Sequence, residues 1–183
     1  MATIDALLSQ AYHLDEPALT QIYETLSPAL YRYAYRLLGN VADAEDIVAE
    51  TFHRLLLALQ QGNGPRQHLS AYLYRIAHNL ITDRYRRRPP IEFALDEALE
   101  AGQAEEPESA APLHIAAERA RAALWQLTSD QRLVITLKYL EGLSNEEVAV
   151  ALGKPIGAVK SLQHRALESL RRILRSERIE ELV

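Results

Sequence analysis

The sequence predicts an all-α protein: two small helical domains joined by an acidic linker. Apolar residues recur at helical three-and-four spacing, and no stretch alternates apolar with polar over strand lengths. Helix signals crowd into residues 1–91 and 113–183. Between them, residues 92–112 are acidic and rich in Ala and Pro, the composition of a connector.

Each element follows from local signals. Leu19 to Leu38 reads as the first strong helix, bent near Ser27-Pro28 and stopped by Gly39-Asn40. Ala42 to Gln60 is the second, ended by Gln61-Gly62-Asn63-Gly64-Pro65. Ser70 to Arg88 is the third, halted by Pro89-Pro90, with Leu73, Ile76, Ala77 and Leu80 as its core side. Phe93 to Leu99 has room for short helical turns inside the connector. In the second domain, Ala116 to Leu127 is a helix, Thr128 or Ser129 caps the next, and Asp130 to Leu140 stacks Leu133, Leu137 and Leu140 along one side.

The most specific stretch is Leu143 to Arg172, LSNEEVAVALGKPIGAVKSLQHRALESLRR, with the layout of a helix-turn-helix. Ser144 and Glu147 make a capping box, and Val148, Ala149 and Leu152 an apolar side. Gly153-Lys154-Pro155 is the turn, with Pro suited to a first helical turn. Ile156, Val159, Leu162 or Ala166, Leu170 and Ile173 then point inward. That leaves Lys160, Ser161, Gln163, His164 and Arg165 outward on a helix that fits a DNA major groove. Arg171, Arg172 and Arg175 lie farther along, suited to phosphates. A helical hairpin packed on protein is the bland alternative.

The net charge of −5 looks wrong for a nucleic-acid binder until it is mapped. Residues 92–118 hold eight acids and no Lys or Arg, whereas residues 119–183 hold eleven basic and eight acidic side chains. Local potential governs phosphate contact. The acidic segment is expected to discourage loose DNA binding and to favour closure of the two domains on each other. In the third helix, Tyr72, Tyr74 and Tyr85 stand among Arg75, His78, Arg84, Arg86, Arg87 and Arg88. Aromatic faces beside cations suit single-strand binding, and an amphipathic core helix with a solvated basic end is the equal alternative. Asp43, Glu45, Asp46 and Glu50 favour a helix N-terminus, and Asp43, Asp46 or Ile47, and Glu50 share a face that suits a basic partner.

Several classes are excluded. No segment approaches the roughly 20 apolar residues of a membrane span, so no membrane insertion is expected. The N-terminus lacks a basic start followed by an apolar core, so no secretory signal is expected. Zero cysteines rule out disulfides and thiolate metal sites and fit a cytoplasmic protein. No histidine spacing suits zinc, and no catalytic motif, metal site or cofactor is expected. With the short tail RSERIEELV, no large fused regulatory domain is expected.

These segments resemble an extracytoplasmic-function (ECF) sigma factor of bacterial RNA polymerase, from about Leu19 to Leu174. YRYAYRLLGNVADAEDIVAETFHRLL resembles the start of the family's region 2 and SAYLYRIAHNLITDRYRRR its promoter-melting helix. LWQLTSDQRLVITLKYLEGLSNEEVAVALGKPIGAVKSLQHRALESL resembles region 4. The resemblance implies that residues 1–91 are region 2 and 113–183 region 4. Asp43, Asp46, Ile47 and Glu50 would dock on the clamp helices of the polymerase core, and region 4 on its flap. The loop Gln61–Leu69, with Asn63, Arg66 and His68, and Tyr72, Arg75, Asn79, Arg86 and Arg87 would capture the −10 element. Lys160, Ser161, Gln163, His164, Arg165 and Arg171 would read the −35 duplex. An anti-sigma factor is the expected inhibitor.

The chain departs from the family pattern where Trp is usual and Tyr72 stands, and where Phe is usual and Leu69 stands. It also reads GAVKSLQHRAL for GTVKSRLHRAR, with Leu162 and Leu167 at basic positions. Two other classes are an activator of response-regulator type working without core polymerase, and a sigma-like protein that only sequesters partners. The first has no receiver-like strands to account for residues 1–90.

Overall fold

The computed structural model describes residues 4–87 and 111–180. Their helices are α1 (Ile4–Ala11), α2 (Glu16–Leu38), α3 (Val41–Gln60), α4 (Leu69–Arg87), α5 (Ala111–Trp125), α6 (Ser129–Ile135), α7 (Asn145–Leu152) and α8 (Ile156–Glu180). Among the described residues no strand occurs. The expected turns at Phe93 to Leu99, and the closing role expected of the acidic linker, lie outside the described residues.

Local chemistry moves several boundaries. α2 starts before Leu19 because the Asp15 carboxylate accepts the Ala18 N–H at 3.1 Å and a proline occupies the first turn. Pro28 lies inside α2, which runs on through it to Leu38. Gly39 ends it at φ 79°, its N–H donating to the Tyr35 carbonyl at 2.7 Å. Asn40, expected only as part of the stop, caps α3 by accepting the Asp43 N–H at 2.9 Å. α5 starts at Ala111, inside the stretch expected to be linker. α1 was not anticipated; its own Leu7, Leu8 and Ala11 are buried.

α2, α3 and α4 pack on one another, with α1 alongside α2. Leu30, Leu37, Leu55, Leu69, Leu73 and Ile81 are almost wholly buried there. Leu69 is therefore a core residue, and an aromatic ring in its place would have to find volume inside the bundle. In the second domain Val134, Leu137, Val148, Val159 and Ala166 form the centre. The expected capping box at Ser144 with Glu147 is present, and Thr128, rather than Ser129, caps α6 in a second box with Gln131.

α6 does not continue as an α-helix to Leu140. Thr136–Leu140 is a π turn, closed by the Glu141 N–H donating to the Thr136 carbonyl at 3.0 Å. The wider turn rotates the end of the helix, so Leu140 is exposed rather than stacked on Leu137. Ile156 is likewise exposed, because it stands at the start of α8, before the face formed by Val159, Leu162 and Ala166.

The two domains are packed together: α2 against α5, and α4 against α7.

Candidate nucleic-acid interface

The acidic face of α3 borders a cleft of about 690 Å³ between α3 and α4. Asp46, Ile47 and Glu50 line it with His53, Arg54 and Arg84. Asp43 is not free at this face. It is 8% exposed and bound to Arg84 at 2.8 Å, while Asp46 reaches the same guanidinium at 3.0 Å. Ile47 is buried and supplies the floor. Glu50 takes the Arg54 Nε hydrogen bond at 2.7 Å, which holds its carboxyl below the usual range. Asp46 and Glu50 are the carboxylates this face presents outward.

The loop after α3 and the outer face of α4 form a second group. Arg66 lies over the Tyr12 ring at 4.3 Å, and Arg75 over Tyr72 at 5.5 Å. Tyr72, Arg75, Asn79 and Arg86 fall on one side of α4 by helical spacing, and Arg75, Asn79 and Arg86 are exposed. Arg86 pairs with Asp83 at 3.0 Å. Asn63 and Arg66 are exposed on the loop. Arg87 is not brought to the Tyr72 side; it lines the α3–α4 cleft. His68, at φ 55°, is half-buried where the helix-turn-helix turn (Gly153, Lys154, Pro155) faces the start of α4. Tyr74 and His78, counted from sequence among the aromatic and basic residues of this helix, are buried instead.

On α8, Lys160, Ser161, His164, Arg165 and Arg171 are exposed as expected. Gln163 is half-buried and donates to the Asn145 side chain at 2.9 Å, which ties α8 to α7. Leu162 is buried and serves packing, whereas Leu167 is exposed. His164 sits 3.5 Å from Glu168.

What the sequence did not reveal is the seam between the domains. The Tyr33 hydroxyl lies 2.7 Å from His78 Nδ1, and His78 Nε2 lies 3.0 Å from Ser129 Oγ. A neutral imidazole satisfies both, one nitrogen donating and the other accepting. Glu141 accepts from Arg36 at 2.5 Å and from the Tyr74 hydroxyl at 2.9 Å. The Arg121 Nε donates to the Arg36 carbonyl and the Trp125 indole N–H to that of Leu37. Burial pushes His78 down to about 3, with Arg132 adding to the fall, and pushes Tyr33 and Tyr74 well up. Arg132, itself buried, is lowered to about 10 by desolvation. One sequence signal existed: His78 follows Tyr74 by four residues and precedes Ile81 by three, on the helix's inward side.

Among the described residues no helix is long and apolar enough to cross a membrane, and no group of three acidic or histidine side chains is arranged to hold a metal.

Residues 22–89 match the family model for sigma-70 region 2, and residues 117–170 that for sigma-70 region 4. The ECF RNA polymerase sigma factor SigW of Bacillus subtilis (strain 168) is 33% identical over 172 residues, which is 88% of this chain and 91% of that protein. The chain belongs to the ECF sigma factor family. The ECF RNA polymerase sigma factor BldN of Streptomyces coelicolor is 34% identical over 170 residues, covering 92% of this chain; the match spans 64% of that longer protein. Among solved structures, CnrH in complex with the cytosolic domain of CnrY aligns at a TM-score of 0.71 with 26% identity, over 94% of this chain and 97% of that one. RpoE of Bartonella quintana, in complex with the anti-sigma factor NepR, aligns at 0.58 with 27% identity, over 85% and 96%. An ECF sigma factor accounts for both halves of the chain in order, which a stand-alone activator with a receiver domain does not: among the described residues α1 to α4 contain no strand.

Proposed function

We propose that this sigma factor docks on RNA polymerase core through the acidic edge of α3, captures the opened −10 strand with the loop 61–68 and the outer face of α4, and reads the −35 duplex with α8. The observation that carries this reading is the division of labour around α4. The cleft shared with α3 is lined by Leu80, Asp83, Arg84 and Arg87, while Tyr72, Arg75 and Asn79 lie about a quarter-turn away. One helix can therefore hold polymerase on one side and a strand on the other without competition.

Asp46 and Glu50 supply the negative charge for docking, and Asp43 holds Arg84 in place behind them. Asn63 and His68 flank a base drawn from the stack, whose extrusion costs a few kcal/mol that a pocket and strand contacts offset. Arg66, Arg75 and Arg86 follow phosphates, and Arg87 guards the cleft edge. Lys160, Ser161, His164 and Arg165 face the groove, Gln163 orients α8 from within, and Arg171 reaches backbone. The polymerase performs nucleotide transfer; this chain contributes selection and strand opening, with no chemistry or cofactor of its own, in the cytoplasm. CnrH is seen with the cytosolic domain of CnrY and RpoE with the anti-sigma factor NepR. A protein of the latter kind is the expected regulator here.

The closed seam parts in this cycle. Elements about 25 base pairs apart are separated by about 85 Å of duplex. A chain of the length between Arg87 and Ala111 spans at most about 80 Å, enough to let two docked domains reach both elements only once they separate.

Run-off transcription by purified core polymerase on randomised promoter fragments tests this. Protein-dependent transcripts enriched for a two-part motif are expected, lost with Glu50→Lys and weakened with Lys160→Ala. Duplex binding without any core-dependent transcript would instead support an activator, and core binding without promoter opening a sequestering protein.

A further inference from the structure

Trp125 is held as a flat plate between the two domains. The Tyr85 ring lies parallel to it, with centroids 3.3 Å apart and planes 5° apart. The Arg132 guanidinium lies 3.7 Å from the ring centre. Two groups that close to one ring cannot share a face, so the indole is sandwiched between them. Its N–H donates to the Leu37 carbonyl at 2.8 Å. An aromatic face on one side, a guanidinium on the other and a satisfied N–H edge are how proteins grip an unpaired nucleobase.

The parts divide between the domains. Tyr85 and the Leu37 carbonyl belong to the N-terminal bundle, on α4 and α2. Trp125 and Arg132 belong to α5 and α6 and leave together when the domains separate. What remains is the Tyr85 ring on α4 and, on α2, the Leu37 carbonyl that had accepted the indole N–H. Any base that offers an N–H fits this arrangement as the indole does. The Arg132 Nε is buried with no hydrogen-bond partner, so the closed arrangement carries an unmet donor that separation relieves.

We propose that Tyr85 is a stacking site for an unpaired base of the opened promoter strand, and that Trp125 fills it as an internal stand-in while the protein is closed. This rests on the reading of α4 as the strand-facing helix and adds to it a residue and a competitor. Base and indole exclude each other, so strand capture and domain separation are coupled at one ring.

Trp125 is the chain's single tryptophan, so indole emission, excited selectively over that of the nine tyrosines, reports this plate alone. The full chain is titrated at low salt with a 12-nucleotide mixed-sequence single strand, and binding is followed in parallel by anisotropy of the labelled strand. Trp125 emission is expected to shift to the red with the same midpoint as the anisotropy, and not with a duplex of equal length. Trp125→Leu tightens strand binding about tenfold, and Tyr85→Leu weakens it about tenfold and cancels the gain from Trp125→Leu, in line with the worth of a base–aromatic stack. Tyr85→Phe binds like the parent, and circular dichroism checks the fold of each variant. Should Trp125→Leu unfold, the Tyr85→Leu and Tyr85→Phe pair decides alone.

The same strand is offered to the core-bound protein, where Tyr85→Leu must again cost about tenfold. Strand binding with unmoved Trp125 emission, or with Tyr85→Leu indistinguishable from the parent, overturns the stacking site. If instead Arg75→Ala and Asn79→Ala leave affinity unchanged while Tyr85→Leu weakens it, the stacking site stands and the wider reading of the α4 face falls. No strand binding by free or core-bound protein overturns both.

Discussion

The interior of the N-terminal bundle and the seam that joins it to the second domain are built from different materials. The bundle closes on aliphatic side chains such as Leu30, Leu55, Leu73 and Ile81. The seam closes on Tyr33, His78, Ser129, Arg36, Glu141 and Tyr74, each satisfied by a specific hydrogen bond. Apolar burial is non-directional and is lost all at once on exposure to water. A hydrogen-bonded polar surface exchanges its partners for water at a small net cost per bond. The bundle is therefore the firmer of the two, which fits the proposal that the halves part to serve separate DNA elements.

Predictions that probe this contrast run from large effects to small. Leu73→Ala, at a wholly buried site in the bundle, is expected to cost about 2–5 kcal/mol in denaturant unfolding. A loss below about 1 kcal/mol would mean that the bundle is no firmer than the seam.

Acid is the next lever. The folded His78 sits near 3, below the ordinary 6.5, so the unfolded chain takes up the proton first as pH falls. Its stability contribution is full above about pH 6.5 and is lost progressively toward pH 3, by an amount on the order of 5 kcal/mol. Tyr33, Ser129, Asp130 and Arg132 surround it, and burial keeps the imidazole neutral, with Arg132 adding to the effect. Unfolding of His78→Gln measured across that window should show a flatter slope than the parent; equal slopes would place the acid sensitivity in the carboxylates.

Glu141→Ala removes the acceptor shared by Arg36 and Tyr74. It leaves a largely buried hydroxyl unpaired, at about 1–3 kcal/mol. Small-angle scattering should show a larger radius of gyration with helix content unchanged. A compact variant would mean that Trp125 and its neighbours hold the seam alone.

Gly39→Ala is expected to cost about 1 kcal/mol, because φ 79° disfavours any side chain and a Cβ there would collide with the Arg121 guanidinium. Glu50→Lys should change stability by less than about 0.5 kcal/mol while core-polymerase binding falls at least tenfold. A melting temperature well below that of the parent would make Glu50 a structural residue instead.

Much of the fold was legible because its signals are local. Ser144 with Glu147, the Gly153 turn and the apolar spacing of α8 lie within a few residues of what they control. The outward set on α8 followed from that spacing, apart from Gln163, whose partner Asn145 stands on the preceding helix. The acids of α3 were legible as one face. That Asp43 is consumed by Arg84 was not, since the two are far apart in sequence and met only when α3 packed on α4. Tyr74 and His78 carried the composition of a strand-binding helix, yet burial assigned them to the seam. The π turn at Thr136–Leu140 also escaped, because an α-helical period fits its apolar residues equally well.

By itself the sequence determined an all-helical chain, its two domains, the capped helix-turn-helix and the family resemblance, because caps, turns and three-and-four spacing act over a single turn of chain. Only the tertiary structure decided which polar side chains face solvent and which close the seam. Tyr85 against Trp125, and Glu141 between Arg36 and Tyr74, join residues tens of positions apart, and nothing in a local pattern records a distance that only packing sets.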